Sequence, residues 1–230
     1  MQKHDNYQFV LQQVDPSILE INYTQLAQTL KNEYFTPLRL EYLRSITTGN
    51  LKLEDGLIEY LLSKNINGKH IGEGNFPVDI KKDNKGIDVV CLCMNKNKTN
   101  EKSIIQNFKD AGESLDILFQ NSQFNKALDI YKTQYYNKLL NAKNDGNFDE
   151  FYYCTFISTN HTIHLAVFKI HIDNIKNMTF HKSSKSSFHF NGFIDPQYGT
   201  TILYKSKKRL ELRFYKNILH NNNTILIMNI

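Results

Sequence analysis

The chain has 230 residues, 40% of them hydrophobic, with 28 Lys or Arg against 23 Asp or Glu and a formal net charge of +5. That length supports one substantial core without requiring a second domain. The longest apolar stretch, VVCLCM, is too short for a membrane span, and the polar start MQKHDNYQFV lacks the apolar run of a signal peptide. A soluble, cytoplasmic protein with no membrane partner is the expectation. The 3 cysteines, Cys91, Cys93 and Cys154, sit in apolar strand-like segments. An odd number with no further Cys or His close by reads as reduced, buried thiols rather than disulfides or a zinc site.

In chain order, the first element is an amphipathic helix opened by Pro16-Ser17 and running through Leu30, with Ile18, Ile21, Leu26 and Leu30 on its apolar side. Pro37 interrupts it. A second helix starts near Asn50, with Leu53, Leu57, Ile58, Leu61 and Leu62 as its buried stripe and Glu54, Asp55 and Glu59 on its polar side. Such acids are ordinarily solvated, but a helix running straight into the next segment could lend it an acid, and Glu59 is the candidate.

That next segment, Ile71 to Met94, reads as two strands, Phe76–Lys82 and Ile87–Met94, around a turn made of Asp83, Asn84, Lys85 and Gly86. A turn centred between Asn84 and Lys85 sets Lys81 opposite Asp88 and Asp79 opposite Val90. Alternation then gives Asp79, Lys81 and Asp88 one face. Opposed Cβ atoms lie roughly 5 Å apart and diagonal ones roughly 7–8 Å, so two carboxylates and an ammonium come within reach of one metal ion or phosphate. The plain alternative is a solvated hairpin face carrying an ordinary cross-strand ion pair.

After the polar NKNKTN loop, the spacing predicts a helix from about Thr99 to Gln120, then another from Asn125 to Ala142. The remainder reads as strands, at 151–158, 162–172, 187–193, 200–205, 208–215 and 223–229, separated by turn-rich stretches. The order of elements predicts an α/β (α+β) fold with a mixed central β-sheet flanked by helices. Residues 175–216 hold nine basic side chains against Asp195 and Glu211, which suggests a face for a polyanion. The candidate DNA-binding residues are Lys182, Ser183 and Lys185 in the HKSSKSS loop, with Lys205, Lys207, Lys208, Arg209 and Arg213. No glycine-rich nucleotide loop or nucleophile elbow is present.

The Pro77-Val78-Asp79 strand end, the Gly86-Ile87-Asp88 that follows it, and a helix over 100–120 resemble the PD-(D/E)XK nuclease superfamily, and within it the type II restriction endonucleases. The resemblance covers about residues 50–130 of a single nuclease domain spanning 1–230, with a β-rich DNA-contacting part at about 150–230. It implies a Mg²⁺-dependent, site-specific deoxyribonuclease that cuts double-stranded DNA as a homodimer within a restriction-modification system. Asp79 looks like the first metal-binding acid and Asp88 like the second. The superfamily places a Lys two residues after the second acid, where this chain has Val90. Lys81 is the substitute; alternatively Asp79-Ile80-Lys81 is itself the acid-x-Lys, with Glu73 as the preceding acid. Outside enzymes of this kind, the same features suit a non-catalytic DNA-binding protein or an RNA-cleaving effector.

Overall fold

The structure, a computed structural model, describes residues 9–36, 41, 51, 53–71, 77–95, 98–99, 102–105, 112–205 and 209–230. Glu73, Lys207 and Lys208 lie outside these. In chain order the elements are β1 (Leu11–Val14), α1 (Tyr23–Thr29), α2 (Asp55–Asn65), β2 (Lys69–His70), β3 (Ile80–Lys82), β4 (Lys85–Asn95), β5 (Lys98–Thr99) and β6 (Lys102–Ile105). They continue with α3 (Gly112–Gln120), α4 (Phe124–Gly146), β7 (Glu150–Ser158), β8 (Thr162–Ile170), β9 (Thr179–Ser183), β10 (Ser187–Asn191), β11 (Gly199–Tyr204), β12 (Arg209–Phe214) and β13 (Thr224–Asn229). No described helix is long and apolar enough to cross a membrane.

The chain divides into two compact units, one made of Met1–Gln12, Glu101–Asn141 and Ile170–Tyr215 and the other of Gln13–Asn100, Ala142–Lys169 and Lys216–Ile230. The fold is α/β with a mixed sheet, as the element order indicated. In the hairpin-bearing unit the sheet runs β8-β7-β4-β3-β2, with β13 also on β8 and β5 on β4. The long β4 pairs parallel with β7, Val89 level with Cys154, while its other partners run antiparallel. Alternation along β4 sends Ile87, Val89 and Cys91 into one core, where they meet Tyr152, Cys154 and Phe156 from β7. Helices α1 and α2 close that core with Leu26, Ile58, Leu61 and Leu62. Each such side chain contributes about 1.5–3 kcal/mol by leaving water. All three cysteines are free and buried, and burial pushes the Cys154 thiol well up, with the charge of Asp88 adding to it.

The other unit is built on an antiparallel sheet, β6-β12-β11-β10-β9. One face is aromatic: Phe188 lies 4.8 Å from Phe119 of α3 and 4.6 Å from Phe124 of α4, ring centre to ring centre. The register puts Lys182, His189, Ile202 and Glu211 in one row, so they share the opposite face.

Several local expectations fail here for identifiable reasons. The segment read as a helix from Thr99 begins instead as two strands, β5 and β6. Lys102-Ser-Ile-Ile pairs with β12, which favours the β-branched isoleucines over the helical spacing they also satisfy. The first hairpin strand is only Ile80–Lys82, with Pro77, Val78 and Asp79 outside the ladder. The HKSSKSS stretch, read as a loop, contributes its first three residues to β9.

Candidate functional site

The hairpin turn is shorter than the sequence suggested. Lys82 pairs with Lys85, so Asp83 and Asn84 alone form the bend, and Asp83 takes the positive φ of 54° that it requires. Asn84 holds the bend in place, its carbonyl accepting from the Asp149 N–H at 2.8 Å and its side-chain amide donating to the Asp149 carboxylate. The register therefore shifts by two residues from the expected one. Lys81 stands opposite Gly86 and Lys69, not opposite Asp88. A Cβ at Gly86 would come within 3.0 Å of Val78 and 3.1 Å of the Phe151 ring, so a side chain there would have to push these neighbours aside.

Lys81 stays on the face of Asp88, two residues out of register with it, and its ammonium turns to the end of α4. Its Nζ donates to the Gly146 carbonyl at 2.8 Å and sits 5.4 Å from the centre of the Phe148 ring. Gly146 is the last residue of α4, where carbonyls lack helical partners and a cation suits the dipole.

Continuing the register from Ile80↔Ile87 brings Asp79 level with Asp88, but Asp79 has left the ladder. Its N–H donates to the Ile87 carbonyl at 2.9 Å, and its carboxylate accepts from the Val89 N–H at 2.7 Å. One step further along β4, the Asp55 carboxylate accepts from the Cys91 N–H at 2.8 Å. β3 stops at Ile80, so the amides of Val89 and Cys91 on that edge find carboxylates where a strand would have supplied carbonyls. Two acids are thereby fixed along one strand edge.

A third acid joins them. Glu59 lies one helical turn beyond Asp55 on α2, with a side chain only 15% exposed and hydrogen-bonded to His70 Nε2 at 3.3 Å. Burial raises the Glu59 pKa, the charges of Asp79 and, less, Asp55 raise it further, and His70 works in the opposite direction. Asp88 lies in β4 between Ile87 and Val89, which face the core, so alternation turns it to the other face of the sheet.

The carboxylate set consists of hard oxygen donors, which suit Mg²⁺ or Ca²⁺ rather than zinc. Among the described residues no three Asp, Glu, His or Cys side chains make a ready cage. A cation here would keep several water ligands, as Mg²⁺ does in most protein sites. Glu59 was legible as a candidate from its place on the helix before the hairpin. Asp55 carried the only signal that could have found it, its four-residue spacing from Glu59, and His70 carried none.

Of the basic residues singled out in the sequence, those the structure describes sit in different settings. Lys205 lies over the Phe124 and Phe188 rings, 4.8 Å from the latter's centre, on the aromatic face of its sheet. Arg213 turns its guanidinium onto Tyr204, donating to the phenol oxygen and packing over the ring. Lys182, Ser183 and Lys185 are exposed around the β9–β10 turn, where the Ser184 and Ser187 hydroxyls close on each other at 2.9 Å. Arg209 pairs with Tyr204 at the start of β12.

No family model, curated protein or solved structure matches this chain.

Proposed function

We propose that this chain is a Mg²⁺-dependent endonuclease that hydrolyses phosphodiester bonds of double-stranded DNA, in its most specific form a type II, site-specific deoxyribonuclease. The observation that supports it is the pair of carboxylates, Asp79 and Asp55, fixed side by side on the Val89 and Cys91 N–H groups along one edge of β4, with Glu59 one helical turn from Asp55 and raised in part by the charge of Asp79. Two like charges that raise a pKa in the native fold are a cost, and a divalent cation between them would remove it.

Asp79 and Glu59 would hold the metal, with Asp88, level with Asp79, as the other acid in reach of the hairpin. When bound, Mg²⁺ lowers the pKa of a coordinated water and offsets charge on the scissile phosphate. The protein's own groups have separate tasks. The Val89 N–H fixes one Asp79 oxygen and so orients the carboxylate. Glu59, hydrogen-bonded to His70 and made more basic by burial and the charge of Asp79, can as a carboxylate take up a proton from the attacking water. Lys81 anchors the hairpin to the end of α4 and leaves charge compensation to the cation. Homodimerisation on a two-fold DNA site completes the proposal.

The test is incubation of the pure protein with mixed plasmid DNA and Mg²⁺. Discrete fragments that disappear in Asp79→Asn support it. Intact plasmid under all metal conditions, with the protein folded, removes the enzyme and leaves a DNA-binding protein.

A further inference from the structure

The unit that lacks the carboxylates carries a cleft of the opposite character. Its position follows from a β-bulge: Phe188 and His189 face Ser183 and Lys182, but Phe190 faces Phe180, so β9 has one extra residue, His181. A bulge sets two residues of one strand against one of its neighbour and re-aims a side chain. Here it brings His181 and Lys182 together against His189, and these three line a cleft of about 420 Å³ with Asn191, Thr200 and Tyr215. No described residue of the lining bears a carboxylate. The lining also includes Thr201, whose buried hydroxyl has no hydrogen-bond partner among the described residues.

Burial lowers the His189 pKa, and the neighbouring charges of Lys182 and His181 lower it further. Three nitrogenous side chains thus gather in a lining with no described carboxylate, an arrangement that an oxyanion would balance. A metal ion is disfavoured by the Lys182 ammonium, and the apolar side of the lining, Phe9, Phe190, Ile194 and Pro196, leaves room for the organic part of a phosphorylated ligand. A tetrahedral oxyanion offers several acceptors, matched by the ammonium, two imidazoles and the Thr200 and Tyr215 hydroxyls.

We infer that this cleft binds a phosphate group, as the monoester of a small ligand or as a diester of a nucleic-acid backbone, through Lys182, His181, His189, Thr200 and Tyr215. The inference does not rest on the carboxylate site, which belongs to the other unit. The test follows the imidazole signals of His181 and His189 by NMR in the full chain, titrated at constant ionic strength with inorganic phosphate, adenosine monophosphate and a short DNA duplex. Saturable movement of both signals is expected in at least one titration, weakened about tenfold by Lys182→Ala and by His189→Gln. Lys182 is exposed, so its substitution leaves the fold intact. Saturation by phosphate or the nucleotide, with the duplex inert, assigns a small phosphorylated ligand. Saturation by the duplex with the same sensitivity to Lys182→Ala assigns a backbone phosphate. Absence of saturable movement with all three, or binding indifferent to Lys182→Ala, overturns the inference.

Discussion

Removing the Asp79 carboxylate should destabilise the edge of β4 by a predictable amount, and more in one variant than in another. The group it serves, the Val89 N–H, belongs to a residue only 3% exposed and is bonded to the carboxylate at 2.7 Å. In Asp79→Ala that donor loses its acceptor where water enters poorly, which costs about 1.5–3 kcal/mol for a bond to a charged group. Relief of the repulsion with Glu59 offsets part of this, on the order of 0.5 kcal/mol for a partly solvated pair. The net is about 2 kcal/mol, or roughly 4–8 °C in Tm for a chain of this size. Asp79→Asn retains an oxygen acceptor, weakened by the loss of charge, and should cost under about 1 kcal/mol. Thermal denaturation measures the totals, and amide exchange at Val89 reads the local event: it should accelerate in the Ala variant and much less in the Asn variant. Equal stability of both variants with wild type, with Val89 still protected, would refute the capping role and the fixed orientation of the Asp79 carboxylate.

Glu59 gives a pH signature. Its folded-state pKa is raised, so the native state binds its proton more tightly than the unfolded chain does. The carboxyl then weakens the fold increasingly as pH rises from about 4 through the raised value. Urea denaturation should show Glu59→Gln gaining stability relative to wild type across that rise; a difference independent of pH would place Glu59 away from Asp79. Lys81→Met should lose about 1 kcal/mol, through the Gly146 carbonyl bond and the Phe148 contact, while DNA cleavage stays within severalfold of wild type; a loss of a hundredfold would return Lys81 to the chemistry. Glu59→Gln and Asp88→Asn separate the two possible partners of Asp79. Single-turnover cleavage should fall by at least about a hundredfold in the first, an effect of the size seen for groups that act in the transition state, and the opposite ranking would make Asp88 the second acid.

The architecture was legible where burial is periodic. The unbroken apolar run after Asp88, Val-Val-Cys-Leu-Cys, marked a central strand, and the leucines of 53–62 marked the helix that covers it. The hairpin itself was legible, but its register was not. Asp83, Asn84, Lys85 and Gly86 are all turn formers, and only the positive φ at Asp83 and the hold of Asn84 on Asp149, a partner 65 residues away, choose the shorter bend. That choice moved Lys81 from opposite Asp88 to opposite Gly86, two residues along the same face, and turned its ammonium to the Gly146 carbonyl. The coupling of Asp79 to Glu59 depends on where β3 ends, a tertiary event without a local signature. The bulge that gathers His181, Lys182 and His189 is equally silent in the sequence, because a single inserted residue in a run of hydroxyls and lysines looks like any solvated loop.

The central claim is that Asp79 and Glu59 together hold a catalytic divalent ion. It is tested most directly by a combined gel-shift and cleavage series on one duplex in Mg²⁺, Ca²⁺ and chelator, with wild type and Asp79→Asn side by side. Ca²⁺ takes the same carboxylate oxygens but holds a looser geometry than octahedral Mg²⁺. Wild type should cut in Mg²⁺, bind its site without cutting in Ca²⁺, and lose both in chelator, where uncompensated acids face a polyanion. Asp79→Asn should cut in none. Cleavage by wild type at full rate in chelator, or by Asp79→Asn at full rate in Mg²⁺, would contradict the claim.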